Sequence, residues 1–198
     1  TIFLNTSGQT LTLNGTIYAT NNSSLTARGP GALTLNGQIQ DNTSSGMSLF
    51  VGTYGPTFLA GTNNNFTGPV IADSFGVVEC LSIANRGVNC SLGAGTNLVL
   101  GVTGTGYFVF AGTNGIQNCA SDRNVLLGGP GMDSITSDAG ATLTLTGPIT
   151  ATNSSNLQIR GAGTTIFTGT ITDVTASGMN FTKSESGTNI LAGICQYR

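Results

Sequence analysis

The sequence predicts an all-β protein, a single-stranded right-handed parallel β-helix (a β-solenoid) of about nine coils of roughly 20–25 residues. Three observations predict it. An alternating apolar run closed by glycine recurs along the chain. One long stretch repeats another without a gap. Charged residues are scarce, while Gly, Asn, Ser and Thr are abundant.

The recurring phrase reads LTLNG at 11–15 and again at 33–37. It returns as LTLTG at 143–147 and TIFTG at 165–169. In each run Leu and Thr alternate, so Leu11 and Leu13 point one way and Thr12 the other. That period of two belongs to a strand with one buried face. Similar runs close at Gly61, Gly101, Gly112 and Gly193, and the clearest steps between runs are 22 and 24 residues. β-branched and aromatic residues fill the runs, as strands prefer. Gly, Asn, Asp and Ser fill the gaps, as turns require. Thr1-Ile2-Phe3-Leu4 reads as a strand from its first residue, and no apolar stripe of helical period is long enough for a helix.

Residues 11–61 align with 143–193 without a gap, a shift of 132 positions, and 24 of the 51 pairs are identical. Among them are Ile17/Ile149, Arg28/Arg160, Asp41/Asp173 and Met47/Met179. A sandwich would join its strands by two-residue hairpins. A solenoid stacks like residues above like and tolerates duplication of whole coils, so the ungapped repeat favours it. Residues 1–198 form one domain, and at ~4.8 Å between strands nine coils give a rod of roughly 40 Å. Asn, Ser and Thr on the outer faces are expected to form hydrogen-bonded ladders.

The 198 residues include only 7% charged ones, against about 25% in an average domain, and the net charge is −2. The six basic residues are scattered, which argues against nucleic acid as a partner. No run approaches the ~18 apolar residues of a membrane-spanning helix. No basic segment with an apolar core opens the chain, so any export signal is expected to have been removed.

Few residues offer chemistry. Cys80 and Cys90 enclose a short loop and either pair as a disulfide or stand as buried thiols; Cys119 and Cys195 have no evident partner. The cysteine spacing matches no zinc pattern and there is no histidine to complete one. Gly128–Thr136, GGPGMDSIT, fits the calcium-binding nonapeptide, with Asp133 as the carboxylate ligand. Such sites need consecutive copies, and only one is present. Asp133 and Asp138 otherwise read as turn residues. Asp41 and Asp173 are repeat equivalents, too far apart along a rod for the paired carboxylates of a glycosidase. Serine chemistry lacks a histidine base. Arg28 and Arg160, each before a Gly-x-Gly, read as caps on corner carbonyls. No catalytic residue, metal or cofactor is expected, and the protein reads as a non-enzyme.

Gly46–Ala72, GMSLFVGTYGPTFLAGTNNNFTGPVIA, resembles the autotransporter-associated β-strand repeat, whose glycines, leucines and aromatic positions fall at Gly46, Leu49, Gly55, Leu59, Gly61, Asn63, Phe66 and Gly68. LSIANRGVNCSLGAGTNLVL (81–100) resembles the next coil of such an array, and GMNFTKSESGTNILAG (178–193) matches even at the family's lysine, Lys183. The resemblance implies a parallel β-helix on the outside of a bacterial cell.

Together these readings predict an extracellular structural solenoid, a surface stalk, adhesin or fibre subunit. Its partners are expected to be a second copy stacked head-to-tail or a longer parent chain. The contacts would lie at the ends, at Ile2, Phe3 and Leu4 and at Ile194, Cys195 and Tyr197. The alternative is a β-helix that binds or cleaves extracellular polysaccharide, with a host or matrix glycan as partner. It needs an exposed aromatic row or a carboxylate cluster on the flank. The four tyrosines, Tyr18, Tyr54, Tyr107 and Tyr197, do not share one repeat phase.

Overall fold

The alternating runs become short strands because each has one apolar face to hide and a glycine or turn residue to end it. A computed structural model describes residues 2–20, 23–43, 46–52, 54–112, 117–153, 155–175 and 178–196. Along the chain the strands are β1 (Ile2–Leu4), β2 (Leu11–Leu13) and β3 (Ile17–Ala19); β4 (Ser24–Arg28), β5 (Leu33–Leu35) and β6 (Ile39–Asp41); then β7 (Ser48–Gly52), β8 (Pro56–Leu59), β9 (Val70–Asp73) and β10 (Gly76–Cys80). There follow β11 (Asn97–Leu100), β12 (Gly106–Phe110) and β13 (Asn118–Ser121); β14 (Asn124–Leu127), β15 (Met132–Ser137) and β16 (Thr142–Leu145); β17 (Ile149–Ala151), β18 (Asn156–Arg160) and β19 (Thr164–Phe167); β20 (Ile171–Asp173), β21 (Asn180–Lys183) and β22 (Thr188–Leu191); and the stub β23 (Cys195–Gln196).

These strands stack into three walls of a parallel β-solenoid. The first wall runs β1-β4-β7-β9-β11-β14-β17-β20-β23 and the second β2-β5-β8-β10-β12-β15-β18-β21. The third is split into β3-β6 and β13-β16-β19-β22. The solenoid makes about seven turns, not the nine coils predicted. Turns are longer than the two clear steps suggest: Val70 pairs with Leu98, 28 residues on. Like lies over like as expected. One column of the first wall reads Leu25, Leu49, Val70, Leu98, Val125, Ile149, Ile171, and all seven are buried. Each such side chain removes roughly 1.5–3 kcal/mol worth of apolar surface from water.

Corners need glycine where successive turns touch backbone to backbone. A Cβ on Gly37 would collide with the carbonyl of Gly15, and one on Gly169 with the carbonyl of Gly147. On the outside, amide ladders form as predicted: Asn36 donates to Asn14 (2.8 Å), Asn124 to Asn97 (3.0 Å) and Asn180 to Asn156 (2.8 Å).

The sequence repeat is a structural one. Asp41 accepts bonds from the Thr43 amide and hydroxyl, and Asp173 accepts the same pair from Thr175. The positive-φ glycines Gly8, Gly29 and Gly46 recur as Gly140, Gly161 and Gly178. The two copies nevertheless occupy different walls. β2 lies in the second wall and its counterpart β16 in the third; β4 lies in the first and its counterpart β18 in the second. The repeat step is therefore a whole number of turns plus one third.

Residues 81–96, expected to continue the coil array, form no strand. Their only ladder contact is an antiparallel bridge between Asn64 and Cys90. The segment wraps the third wall as a loop, and this is what splits that wall in two. Its peptide groups need other partners, and a buried side chain supplies them.

Candidate functional site

That side chain is Arg123, just before β14 and 1% exposed. Its guanidinium donates to the carbonyls of Ala84 (3.0 Å), Leu92 (3.2 Å) and Gly93 (2.6 Å), and reaches the Cys90 sulfur at 3.4 Å. A cation this deep is costly unless its donors are satisfied; here it satisfies the carbonyls of an irregular loop in return. Cys80 and Cys90 are both buried free thiols, so the disulfide considered between them is not formed; Cys119 is half-buried and Cys195 exposed. Burial pushes both the Cys80 and Cys90 thiols up, with the positive charge of Arg123 working against it. A thiol held protonated is a poor nucleophile and metal ligand, which makes this cluster a structural anchor.

A second polar cluster sits at the corner between the first and second walls. Asp73, at the end of β9, accepts backbone bonds from Val102 (2.8 Å), Thr103 (2.9 Å) and Gly104 (3.1 Å), and the Thr103 hydroxyl at 2.8 Å. Burial alone would raise this carboxyl, but those four bonds outweigh it and hold Asp73 at about 2. Asp133 reaches the same loop from the opposite side. It lies inside β15, not in a turn, and is fully buried. Its Oδ1 accepts the Gly106 amide at 2.8 Å, while Oδ2 has no hydrogen-bond partner. Burial pushes its carboxyl up to about 7, with the charge of Asp73 adding to the rise. The room for it comes from register: Asp133 stands over Gly106 and Gly76, where the following turns hold Leu157 and Phe181. Among the described residues no group of three or more His, Cys, Asp or Glu gathers as a cation site, so Asp133 lacks companion carboxylates for calcium.

Other acids are dispersed. Glu79 is raised by burial and then by the charge of Asp138. Arg28 and Arg160 do not cap corner carbonyls as expected; each engages a side chain of the next turn. Arg28 lies 5.2 Å from the centre of the Phe50 ring, and Arg160 pairs with Glu185 at 3.0 Å. One depression, of about 220 Å³ and lined by Phe3, Asn5, Arg28 and Gly55, falls below the range of small-molecule pockets.

Comparison with protein-family models, curated proteins and solved structures gives no match. Function has to be read from the molecule's own geometry, and its most distinctive surfaces are its two end faces.

At one end β1, β2 and β3 each have a neighbour on one side only; at the other, β21, β22 and β23 do. Apolar side chains are laid open there: Leu11 at one end, and Ile190, Leu191 and Ile194 at the other. Phe3 is partly buried against the core, and Cys195 is exposed. Of the other predicted end contacts, Ile2 and Leu4 lie in β1, and Tyr197 lies outside the described residues. The sequence signal for these faces was sound, but Leu11, Ile190 and Leu191 were missed because they look like core residues and are core residues in every interior turn.

Proposed function

We propose that this chain is a non-catalytic structural rod, an exported stalk or fibre subunit of a cell surface, that stacks head-to-tail on further copies of itself. One observation carries this reading. Residues that are fully buried in the interior are half exposed at the ends, because no turn lies above or below them: Leu11 is 38% exposed and its counterpart Leu143 0%, while Leu191 is 42% exposed and its counterpart Leu59 0%. Both end faces present parallel strands of all three walls, with free edges, in the same chain direction. A second copy placed end to end continues every ladder and covers both apolar faces. Such a heterologous contact does not close on itself and yields a filament.

Electron microscopy and sedimentation of the purified protein over a dilution series test this. Rods growing lengthwise with concentration are expected. Leu11→Glu and Leu191→Glu, at exposed positions that leave the interior untouched, should each stop growth while keeping the β-rich circular dichroism of the parent. Single short rods at every concentration, or growth unaffected by both variants, overturns the proposal.

A further inference from the structure

The corner between the first and second walls carries exposed apolar side chains from successive turns: Tyr54, Phe75, Val102 and Met132. Two of them form a stack. The Tyr54 and Phe75 rings are 5.4 Å apart and within 9° of parallel, with Tyr54 70% and Phe75 44% exposed. The stack rests on the Asp73 corner, and the Phe75 amide is tied to the Thr105 carbonyl at 2.7 Å.

The backbone here is strained. Ser74 and Phe75 are consecutive non-glycine residues with φ of 52° and 67°. Glycine occupies such a conformation freely, and this chain has 30 glycines. The core makes no use of the Phe75 ring, which faces water. Strain retained for an exposed aromatic points to a ligand.

We propose that the Tyr54–Phe75 corner binds a neutral polysaccharide. A sugar ring has one face of C–H groups and a rim of hydroxyls. The C–H face suits the electron-rich face of an aromatic ring, and the rim meets the hydroxyls of Ser74 and the exposed Thr103. Charge selects the class. None of the corner residues 54–56, 74–75, 102–104 and 129–132 is ionisable except Tyr54, and the Asp73 oxygens are turned onto amides and hydroxyls. An anionic polymer finds no lysine or arginine there, and a basic one no open carboxylate. The tyrosine phases concealed this aromatic pair because its second member is a phenylalanine. The site lies on the flank and is independent of stacking at the ends.

Retention on insoluble cellulose, chitin, xylan, mannan and starch tests the proposal, with immobilised heparin and alginate as charged controls. The parent should be retained on at least one neutral polymer. Tyr54→Ala and Phe75→Gly should each weaken retention tenfold or more, and Phe75→Gly should melt no lower than the parent because it relieves the strained backbone. Four outcomes overturn the proposal: no retention on any neutral polymer; retention on the charged ones alone; retention unchanged in both variants; or variants that alter self-association in sedimentation and not retention. The last would assign the corner to contacts between copies.

Discussion

Leu11 and Leu143 open the same phrase, and Leu59 and Leu191 close the same repeat, yet in each pair one is sealed and the other half open to solvent. Between those ends the copies agree: Leu25 and Leu157, Ile39 and Ile171, and Met47 and Met179 are all buried. The differences mirror each other, the first copy losing cover at its start and the second at its finish. In a stacked fold, then, burial belongs to the neighbouring turn and not to the residue. A leucine in a strand is core only if another turn lies on each side of it.

The sharpest way to break this comparison is to delete the same side chain in both copies. Leu143→Ala should cost about 2–5 kcal/mol, as buried leucines do, and Leu11→Ala under about 1 kcal/mol. Urea denaturation of dilute, unassembled protein gives both numbers, and equal costs would refute the idea that cover decides burial. Glycine offers a second pair. A Cβ on Gly147 would strike the carbonyls of Asp122 and Arg123, whereas Gly15 has nothing nearby. Gly147→Ala should therefore destabilise by about 1–3 kcal/mol, and Gly15→Ala should stay within about 0.5 kcal/mol.

A pH profile sharpens the contrast where the copies part. Asp133 has Thr1 as its counterpart. Its folded-state pKa is raised to about 7 from an ordinary 3.8, so the folded state holds a proton that the unfolded chain releases. Stability from this group is complete below about pH 4 and declines as pH rises toward 7. The slope is at most about 1.4 kcal/mol per pH unit, and Asp133→Asn should flatten it. Asp73 acts in the opposite sense: held at about 2, it stabilises above pH 4, and that contribution is lost as pH falls through 2. Thermal melts from pH 2 to 8 should thus peak near pH 4 in the parent, and the peak should broaden toward neutrality in Asp133→Asn.

The smallest effect concerns the shared arginine. Arg160 meets Glu185, and both are well exposed, so Glu185→Gln should cost less than about 1 kcal/mol and nothing at high salt. Arg28 meets a ring instead, and Phe50→Leu should cost about 0.5–1 kcal/mol whatever the salt. Matching salt dependence in the two variants would mean that the arginines do the same work.

The period-two runs, the glycine corners, the asparagine ladders and the long repeat were all legible in the sequence, because each reports on a residue and its nearest neighbours. What lies in the third dimension was not. The loop 81–96 has apolar residues and glycines like any coil, and only the burial of Arg123, some thirty residues later, shows that it is held by a side chain instead of a ladder. Asp133 was read as a turn residue because Gly and Ser surround it, but a strand crosses that position and the glycines of earlier turns leave it room. The end faces were anticipated, although the leucines that compose them were not. The Tyr54–Phe75 pair escaped because it joins turns 21 residues apart, a step that neither clear beat of the sequence contains.

The repeat's excess of one third of a turn has a further consequence. Duplicating such a unit adds length and also changes azimuth. Any group that every copy carried would face a new direction each time, and a third copy would complete the circuit. A rod lengthened by this unit would show its markings on all sides, like the treads of a spiral stair, and would offer a partner no single preferred approach. The two copies here have already diverged in this respect. Position 54 of the first is tyrosine and its counterpart in the second is Ser186, so the aromatic marking faces one side only, and the rod has a front.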